Sequence, residues 1–347
     1  MIGYNIQQIN QLYRDLSGGK SFDEAKLFFQ QLKIQNFTTG DLYFQTYGVG
    51  NVIESTHLPY ERFVCYEYLL SEIKQLDGKK YYLIHKGTPF YFLAWTAFLL
   101  KDYEKAVFYM DAAIAEDMKL TGVPWSERPM GLILTLSERT DHPAIKLVIE
   151  MRQCIESVRN DFNSACSKNL SRDDFVNNFV VGLINKNKSY RSIVSSLYSY
   201  IFEFNDRIKI LELRSKEGGT IEPILTHLFK GALLFESLLK YLALKYNWKV
   251  MVKNNKTKTP KTLGDFNNCK NFTNKFCKFN TSSNSLKEII AKAVNNKMQT
   301  VFSTTAMIRN TTGHNLVWDD VFNDLSKYRL LYKQTVYSLF YLIESGL

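Results

Sequence analysis

Two side chains near the carboxyl end of the sequence have the chemistry needed to cleave a phosphodiester without a metal ion. Arg309 is followed by the polar residue Asn310, and His314 comes five positions after the arginine. Histidine titrates near neutral pH and can transfer protons, whereas a guanidinium can hold two phosphate oxygens in its plane. Together they suit attack of an RNA 2′-hydroxyl on the adjacent phosphate, a reaction in which negative charge builds up on the phosphate.

The spacing of this motif limits how the two side chains can meet. Five residues along an ideal helix turn by about 500°, so Arg309 and His314 would point about 140° apart. Gly313 is typical of a helix end. Three arrangements stay open: the helix ends before His314, Arg309 reaches across, or residues of two protomers cooperate. In a simpler alternative, Arg309 pairs with an acid and His314 is a capping or core residue.

Glu236 is a candidate to support the motif. It lies beside an apolar stripe, next to Phe235 and Leu239, where a carboxylate normally needs a partner. It could hold Arg309 through an ion pair inside a helical bundle. Alternatively, it is a helix glutamate that pairs with Lys240 four residues later.

Positive charge is concentrated in the same part of the chain. The formal net charge is +10, yet residues 206–347 hold 22 Lys and Arg against 11 Asp and Glu, which leaves residues 1–205 close to neutral. Residues 245–278 hold nine lysines and one acid. This basic insertion is either a solvated loop or an arm that contacts phosphates. The lysines expected to contact nucleic acid are Lys253, Lys256, Lys258 and Lys261.

Helical periodicity runs through the sequence and predicts an all-α fold. In the carboxyl-terminal part we expect helices over about 221–247, 285–297, 300–312 and 319–344. Residues 90–117 read as a helical hairpin with small residues on both helices and a turn at Lys101–Asp102. This segment resembles one tetratricopeptide-type repeat, although an ordinary hairpin of an all-α domain fits equally. We place the domains at 1–204 and 205–347.

Residues 205–347 resemble a HEPN domain. The resemblance rests on the Arg309–His314 motif, on its place before a last long helix, and on the long helix GALLFESLLKYLALKY that precedes it. It implies a bundle of four or five helices that forms a homodimer, with both motifs facing one composite ribonuclease site. Arg309 and His314 would then be catalytic and Asn310 would position them. Many members of this family are toxins or antiviral effectors that cut RNA.

Several protein classes find no support. No apolar run is long enough to cross a membrane, and the amino terminus lacks the pattern of a signal peptide. Five widely spaced cysteines indicate neither a disulfide framework nor a zinc site. We therefore expect no metal, no cofactor and no membrane partner, and a cytoplasmic location.

The resulting hypothesis is a metal-independent endoribonuclease with RNA as its substrate. Its neutral amino-terminal half would bind a trigger or a protein partner. Two alternatives stay open: a non-catalytic module that binds nucleotide or RNA or acts as a protein-interaction scaffold, and a purely structural all-α protein.

Overall fold

The fold is all-α, as predicted, with one small two-stranded sheet. The computed structural model describes residues 59, 63, 66, 67, 70, 71, 74, 75, 78–139, 145–251, 256–283, 285–312 and 324–347. The chain divides into two compact units, Met1–Val148 and Ile149–Leu347. No helix in the described ranges is both long enough and apolar enough to span a bilayer.

The described part of the first unit contains a helical hairpin. The elements whose bounds are described there are α1 (Gly78–Leu83), α2 (Gly87–Leu99), α3 (Tyr103–Asp117), a 3₁₀ turn (Trp125–Glu127) and α4 (Pro129–Leu134). Helices α2 and α3 occupy the segment in which the sequence predicts the hairpin. Ala94, Ala97 and Ala106 are fully buried, and these small side chains let the two helices pack closely.

The turn between α2 and α3 follows from two neighbouring residues. Lys101 adopts a positive φ of 64°, which reverses the chain direction after α2. The Asp102 side chain then accepts a hydrogen bond from the Lys105 backbone N–H at 3.1 Å and caps α3. The turn therefore lies where the sequence places it.

The second unit contains the longest helices. They are α5 (Ile145–Cys166, most of which belongs to this unit), α6 (Arg172–Asp174), a π-helical stretch (Phe175–Val181), α7 (Gly182–Ile184), α8 (Lys188–Glu217) and α9 (Glu222–Lys245). After a short antiparallel pair of strands, β1 (Val250–Met251) and β2 (Thr257–Lys258), come α10 (Leu263–Asn267), α11 (Lys270–Lys275), α12 (Leu286–Lys292), α13 (Met298–Thr312) and α14 (Leu325–Gly346).

Helices α8, α9, α13 and α14 pack against one another around one apolar core. Gly231 allows α9 to lie close to its neighbours, because an added Cβ would lie 2.4 Å from the Tyr200 ring and 2.7 Å from the Thr335 methyl group. Phe235 of α9 meets Phe302 of α13 edge to face, with ring centroids 5.0 Å apart. These contacts set the relative positions of α9 and α13, which carry Glu236 and Arg309.

The division between the two compact units falls between residues 148 and 149. The domain division at 204 and 205 that the sequence suggests stays a prediction about function. The expected position falls inside α8, which continues from Lys188 to Glu217 because no glycine or proline interrupts it. Helix α8 ends at Glu217, and Gly218, with a positive φ of 83°, begins the connection to α9 of the same unit.

The basic insertion is more ordered than a solvated loop in its described part. Strands β1 and β2 pair, and Thr262 and Asp265 form a capping box that starts α10. Phe266, Phe272 and Phe279 are buried, and Phe279 contacts the ring of Phe235 at 6.1 Å. The phenylalanines between the lysines therefore anchor this segment to the core of its own unit.

Candidate functional site

Arg309 and Glu236 form an ion pair between α13 and α9. The Arg309 Nε donates a hydrogen bond of 2.7 Å to Glu236 Oε2. The second carboxylate oxygen, Oε1, lies 2.6 Å from Lys240 Nζ. Both pairings considered for Glu236 therefore occur together, because a carboxylate has two oxygens and each accepts from a different cation.

The electrostatics of this cluster favour the charged form of Glu236. Burial alone raises the pKa of its carboxyl group, since only 7% of the residue is exposed. Hydrogen bonds from Lys240 and Arg309 outweigh burial, and the net result is a lowered pKa. Glu236 is therefore ionised at neutral pH and fixes the Arg309 side chain in one orientation.

The guanidinium of Arg309 keeps unused donors. One third of its side chain is exposed, and only Nε is engaged by Glu236. Within the described ranges, neither of its Nη groups donates a hydrogen bond. The planar edge formed by these groups is the part of a guanidinium that binds two oxygens of a phosphate.

Asn310 fixes the end of α13 to the preceding segment. Its Nδ2 donates a hydrogen bond of 2.6 Å to the carbonyl oxygen of Thr281. Thr312, at the end of α13, donates from its hydroxyl to the carbonyl of Ile308 at 2.6 Å. The structure therefore brings Arg309 together with Glu236. His314 lies outside the described residues, and its position stays a prediction.

The predicted nucleic-acid lysines differ in their surroundings. Lys258 Nζ forms an ion pair of 3.0 Å with Asp265, and the backbone N–H of Lys261 donates to the same carboxylate at 3.0 Å. Lys256 is exposed and has no ion-pair partner in the part of the chain that the structure describes. Lys253 lies outside the described residues.

A second buried polar cluster has its centre at His227 on α9. The His227 Nε2 lies 2.9 Å from the carbonyl oxygen of Tyr200, which can only accept, so Nε2 carries the proton. Nδ1 therefore accepts from the Tyr328 hydroxyl at 2.6 Å. Both ring nitrogens are used, which is typical of a histidine with a structural role.

Burial lowers the pKa of His227 to about 4, although the nearby Glu203 opposes this effect. Glu203 of α8 is held by Arg207, four residues later, and by Lys230 of α9, whose Nζ lies 2.9 Å from Oε2. Residue patterns alone did not predict a role for Glu203. A glutamate between apolar residues, with an arginine at i+4, is the only signal that could have indicated it.

No group of three His, Cys, Asp or Glu side chains in the described part of the chain is arranged to hold a metal ion. No protein-family model matches the chain, and neither a curated protein nor a solved structure matches it. The resemblance of residues 205–347 to HEPN domains therefore depends on the residues quoted above.

Proposed function

We propose that this chain is a metal-independent endoribonuclease of the HEPN type, with a composite site formed by Arg309 and His314 of two protomers. The observation that carries the proposal is the state of Arg309. Its Nε is held by an ionised, buried Glu236, while neither Nη group donates a hydrogen bond to any described residue, and the motif continues along the chain to His314. A fixed, partly exposed guanidinium of this kind suits a phosphate that gains negative charge.

The proposed reaction uses only groups of the RNA and of the protein. One His314 removes the proton of the 2′-hydroxyl, and the resulting oxygen attacks phosphorus. The bond to the 5′-oxygen breaks, and this oxygen takes a proton from a second imidazole, which leaves a 2′,3′-cyclic phosphate and a 5′-hydroxyl. Arg309 stabilises the charge on the phosphate oxygens, and Glu236 and Asn310 position the end of α13.

The other parts of the chain have supporting roles in this proposal. Lysines of the basic insertion, among them Lys256, contribute sequence-independent affinity for the RNA backbone. The neutral first unit binds a protein partner or trigger, which suits a toxin or an antiviral effector. Its helical hairpin offers a surface for such a partner.

The test is cleavage of tRNA and mRNA by the purified chain in the presence of EDTA, with the new ends mapped. We expect 2′,3′-cyclic phosphate ends, and a rate that falls by about 100-fold or more in His314→Ala and Arg309→Gln. Lys287→Gln, which removes one exposed positive charge on α12, is the matched control and should cleave normally. Sedimentation measures whether the active species is a dimer.

One observation favours a second candidate function. An arginine that is paired with an acid also fits a non-catalytic module, in which the Arg309–Glu236 pair only joins α13 to α9. Such a protein would bind RNA or nucleotide, or act as a protein-interaction scaffold. Normal folding with no cleavage of any RNA, and equal RNA binding by wild type and His314→Ala, would favour this alternative.

A further inference from the structure

The second unit contains a groove that the proposed nuclease site does not use. Its volume is about 610 Å³, a size typical of small-molecule sites, and its walls come from α5, α8 and α14. Gln153 and Ser157 line it from α5, and Arg329 and Lys333 line it from α14. Each pair is four residues apart, so each helix presents one continuous face to the groove.

One end of the groove is closed by aromatic packing. Phe162 of α5 contacts Tyr337 and Tyr341 of α14, with ring centroids 6.0 and 5.1 Å apart. Farther along both helices, Lys168 pairs with Glu344 at 3.1 Å, so α5 and α14 run in the same direction. The open end therefore lies toward the amino-terminal parts of both helices, where α14 carries Arg329.

The floor of the groove is aromatic. Phe204 of α8 stacks on Tyr332 of α14 with ring centroids 3.7 Å apart and an interplanar angle of 9°. Phe204 is only half-buried, and the Arg329 guanidinium lies 5.9 Å from its ring centre. Among the described residues, no carboxylate pairs with Arg329. A ring surface therefore meets a guanidinium that has no carboxylate partner among the described residues.

Tyr332 adds a hydrogen-bonding group to this place. The residue is 3% exposed and lines the groove, yet its hydroxyl has no hydrogen-bond partner within the described ranges. Buried hydroxyl groups almost always have one, because leaving water without a new partner is unfavourable. An acceptor atom of a bound molecule would supply the missing partner.

The two acids of the groove do not neutralise Arg329. Asp161 is already satisfied, since Lys333 Nζ lies 2.8 Å and the Tyr337 hydroxyl 2.7 Å from its Oδ2. Asp161 of α5 lies beside Lys333 and Tyr337 of α14. Because the two helices are parallel, the point of α5 opposite Arg329 lies nearer the open end than Asp161 does. Glu150 lies about 7 Å beyond that point, farther toward the open end. Arg329 is therefore the cation available to a ligand that rests on Phe204.

We infer that this groove binds a small molecule with a planar unsaturated ring and one anionic group. The ring lies on Phe204, the anionic group binds Arg329, and an acceptor atom receives the Tyr332 hydroxyl proton. This inference goes beyond the proposed nuclease function and does not depend on it. Aromatic carboxylates and phosphorylated ring compounds share this chemistry.

The first experiment is a fluorescence titration of the full chain with 8-anilino-1-naphthalenesulfonate, a planar anion that becomes fluorescent in apolar sites. We expect saturable binding of one molecule per chain. Arg329→Gln should weaken it about tenfold through loss of the charged contact. Ser157→Trp, at an exposed wall position, should fill the groove and abolish binding. Both variants change exposed residues, and thermal melting checks that they fold.

Lys287→Gln removes the same charge as Arg329→Gln, on α12 and outside the groove lining, and should bind like wild type. Displacement of the bound probe by 1-naphthoate or by AMP then distinguishes a carboxylate from a phosphorylated ligand. Three outcomes would overturn the inference: no saturable binding, equal binding by wild type, Arg329→Gln and Ser157→Trp, or failure of both competitors to displace the probe. RNA cleavage is measured separately and affects none of these readings.

Discussion

Two acids in the second unit are held in the same way, yet their surroundings differ. Glu203 of α8 binds the cation four residues later, Arg207, and Lys230 from the neighbouring helix. Glu236 of α9 likewise binds Lys240 four residues later and Arg309 from the neighbouring helix. Each carboxylate is buried, and burial alone raises its pKa, yet the net pKa of each is lowered. The lowering comes from His227, Lys230 and Arg207 at Glu203, and from Lys240 and Arg309 at Glu236.

The difference lies in the donors that remain. Arg207 uses both Nε and Nη2 on Glu203, and Lys230 also donates to the Ser199 hydroxyl at 3.0 Å. Arg309 uses only Nε on its acid. The Glu203 cluster therefore has the properties of a structural seam between α8 and α9. The Glu236 cluster has the same stabilising pair, and in addition the Arg309 Nη edge, which donates no hydrogen bond within the described part of the chain.

Replacing each arginine by lysine should show the largest difference between the two clusters. Arg309→Lys keeps the charge and the pairing with Glu236 but loses the planar edge, so we expect RNA cleavage to fall about 1000-fold, equivalent to about 4 kcal/mol. Arg207→Lys should change cleavage by less than about twofold, since its guanidinium serves packing. Single-turnover rates measure both. Equal rates for the two variants would remove the distinction between the clusters.

The second prediction concerns His227, which borders the Glu203 cluster. Its pKa is about 4 in the folded protein and about 6.5 in the unfolded chain, so the unfolded chain binds the proton more readily. The stability contributed by the neutral ring is complete above pH 6.5 and is lost as pH falls toward 4, by up to about 3 kcal/mol. Urea unfolding at pH 7, 6, 5 and 4 measures this loss.

His227→Gln is the matched variant for this measurement. Glutamine can donate to the Tyr200 carbonyl and accept from the Tyr328 hydroxyl, but it does not titrate. The difference in unfolding free energy between wild type and His227→Gln should therefore change across this pH range. A constant difference would mean that the imidazole is not held neutral, with the charge of Glu203 outweighing burial and the nearby Lys230 and Arg207.

The third prediction compares the two acids directly. In Glu236→Gln, the amide oxygen can still accept from Arg309 but no longer neutralises it, so we expect kcat to fall about tenfold, or about 1.4 kcal/mol, with KM nearly unchanged. Glu236→Leu should lower kcat further, because the acceptor is also lost. Glu203→Gln should leave cleavage unchanged. If Glu236→Gln keeps partial activity and Glu236→Leu does not, Glu236 acts by positioning Arg309. Loss of stability alone would not produce this difference in activity.

The smallest expected effect comes from the lysines of the basic insertion. Lys256→Gln should weaken RNA binding about threefold and lower the slope of log affinity against log salt by about 0.7, the effect of one phosphate contact on a single strand. Lys258→Gln should change the slope less, because Lys258 already pairs with Asp265. Filter binding at several salt concentrations measures both slopes, and identical slopes in wild type and Lys256→Gln would exclude this contact.

Much of the local structure could be predicted from residue patterns. The expected helices at 221–247 and 300–312 correspond to Glu222–Lys245 and Met298–Thr312, because a strong apolar period specifies a helix with little tertiary help. The helix expected over 285–297 ends earlier, at Lys292. There the Asn295 carbonyl and the Asn296 side chain accept hydrogen bonds from Gln334, a residue of α14 that the local sequence does not indicate.

The basic insertion shows a different limit. Its lysines suggested a solvated loop or an arm, and the paired strands and short helices of its described part were not predicted. Strands of two residues carry too little periodicity to detect, and their position depends on contacts such as Phe279 with Phe235. The division into compact units shows a related limit, since the charge of the sequence changes near residue 205 while packing continues along α8.

Residue patterns alone specify a helical chain and the positions of most of its long helices, and they lead to the prediction of phosphate chemistry at Arg309 and His314. They also identify Glu236 as a carboxylate in need of a partner. That this partner is both Lys240 and Arg309 follows from the packing of α9 against α13, because residues 73 positions apart meet only through that packing. A separate packing, that of α5, α8 and α14, creates the groove, which no local pattern encodes because its walls come from three separate parts of the chain.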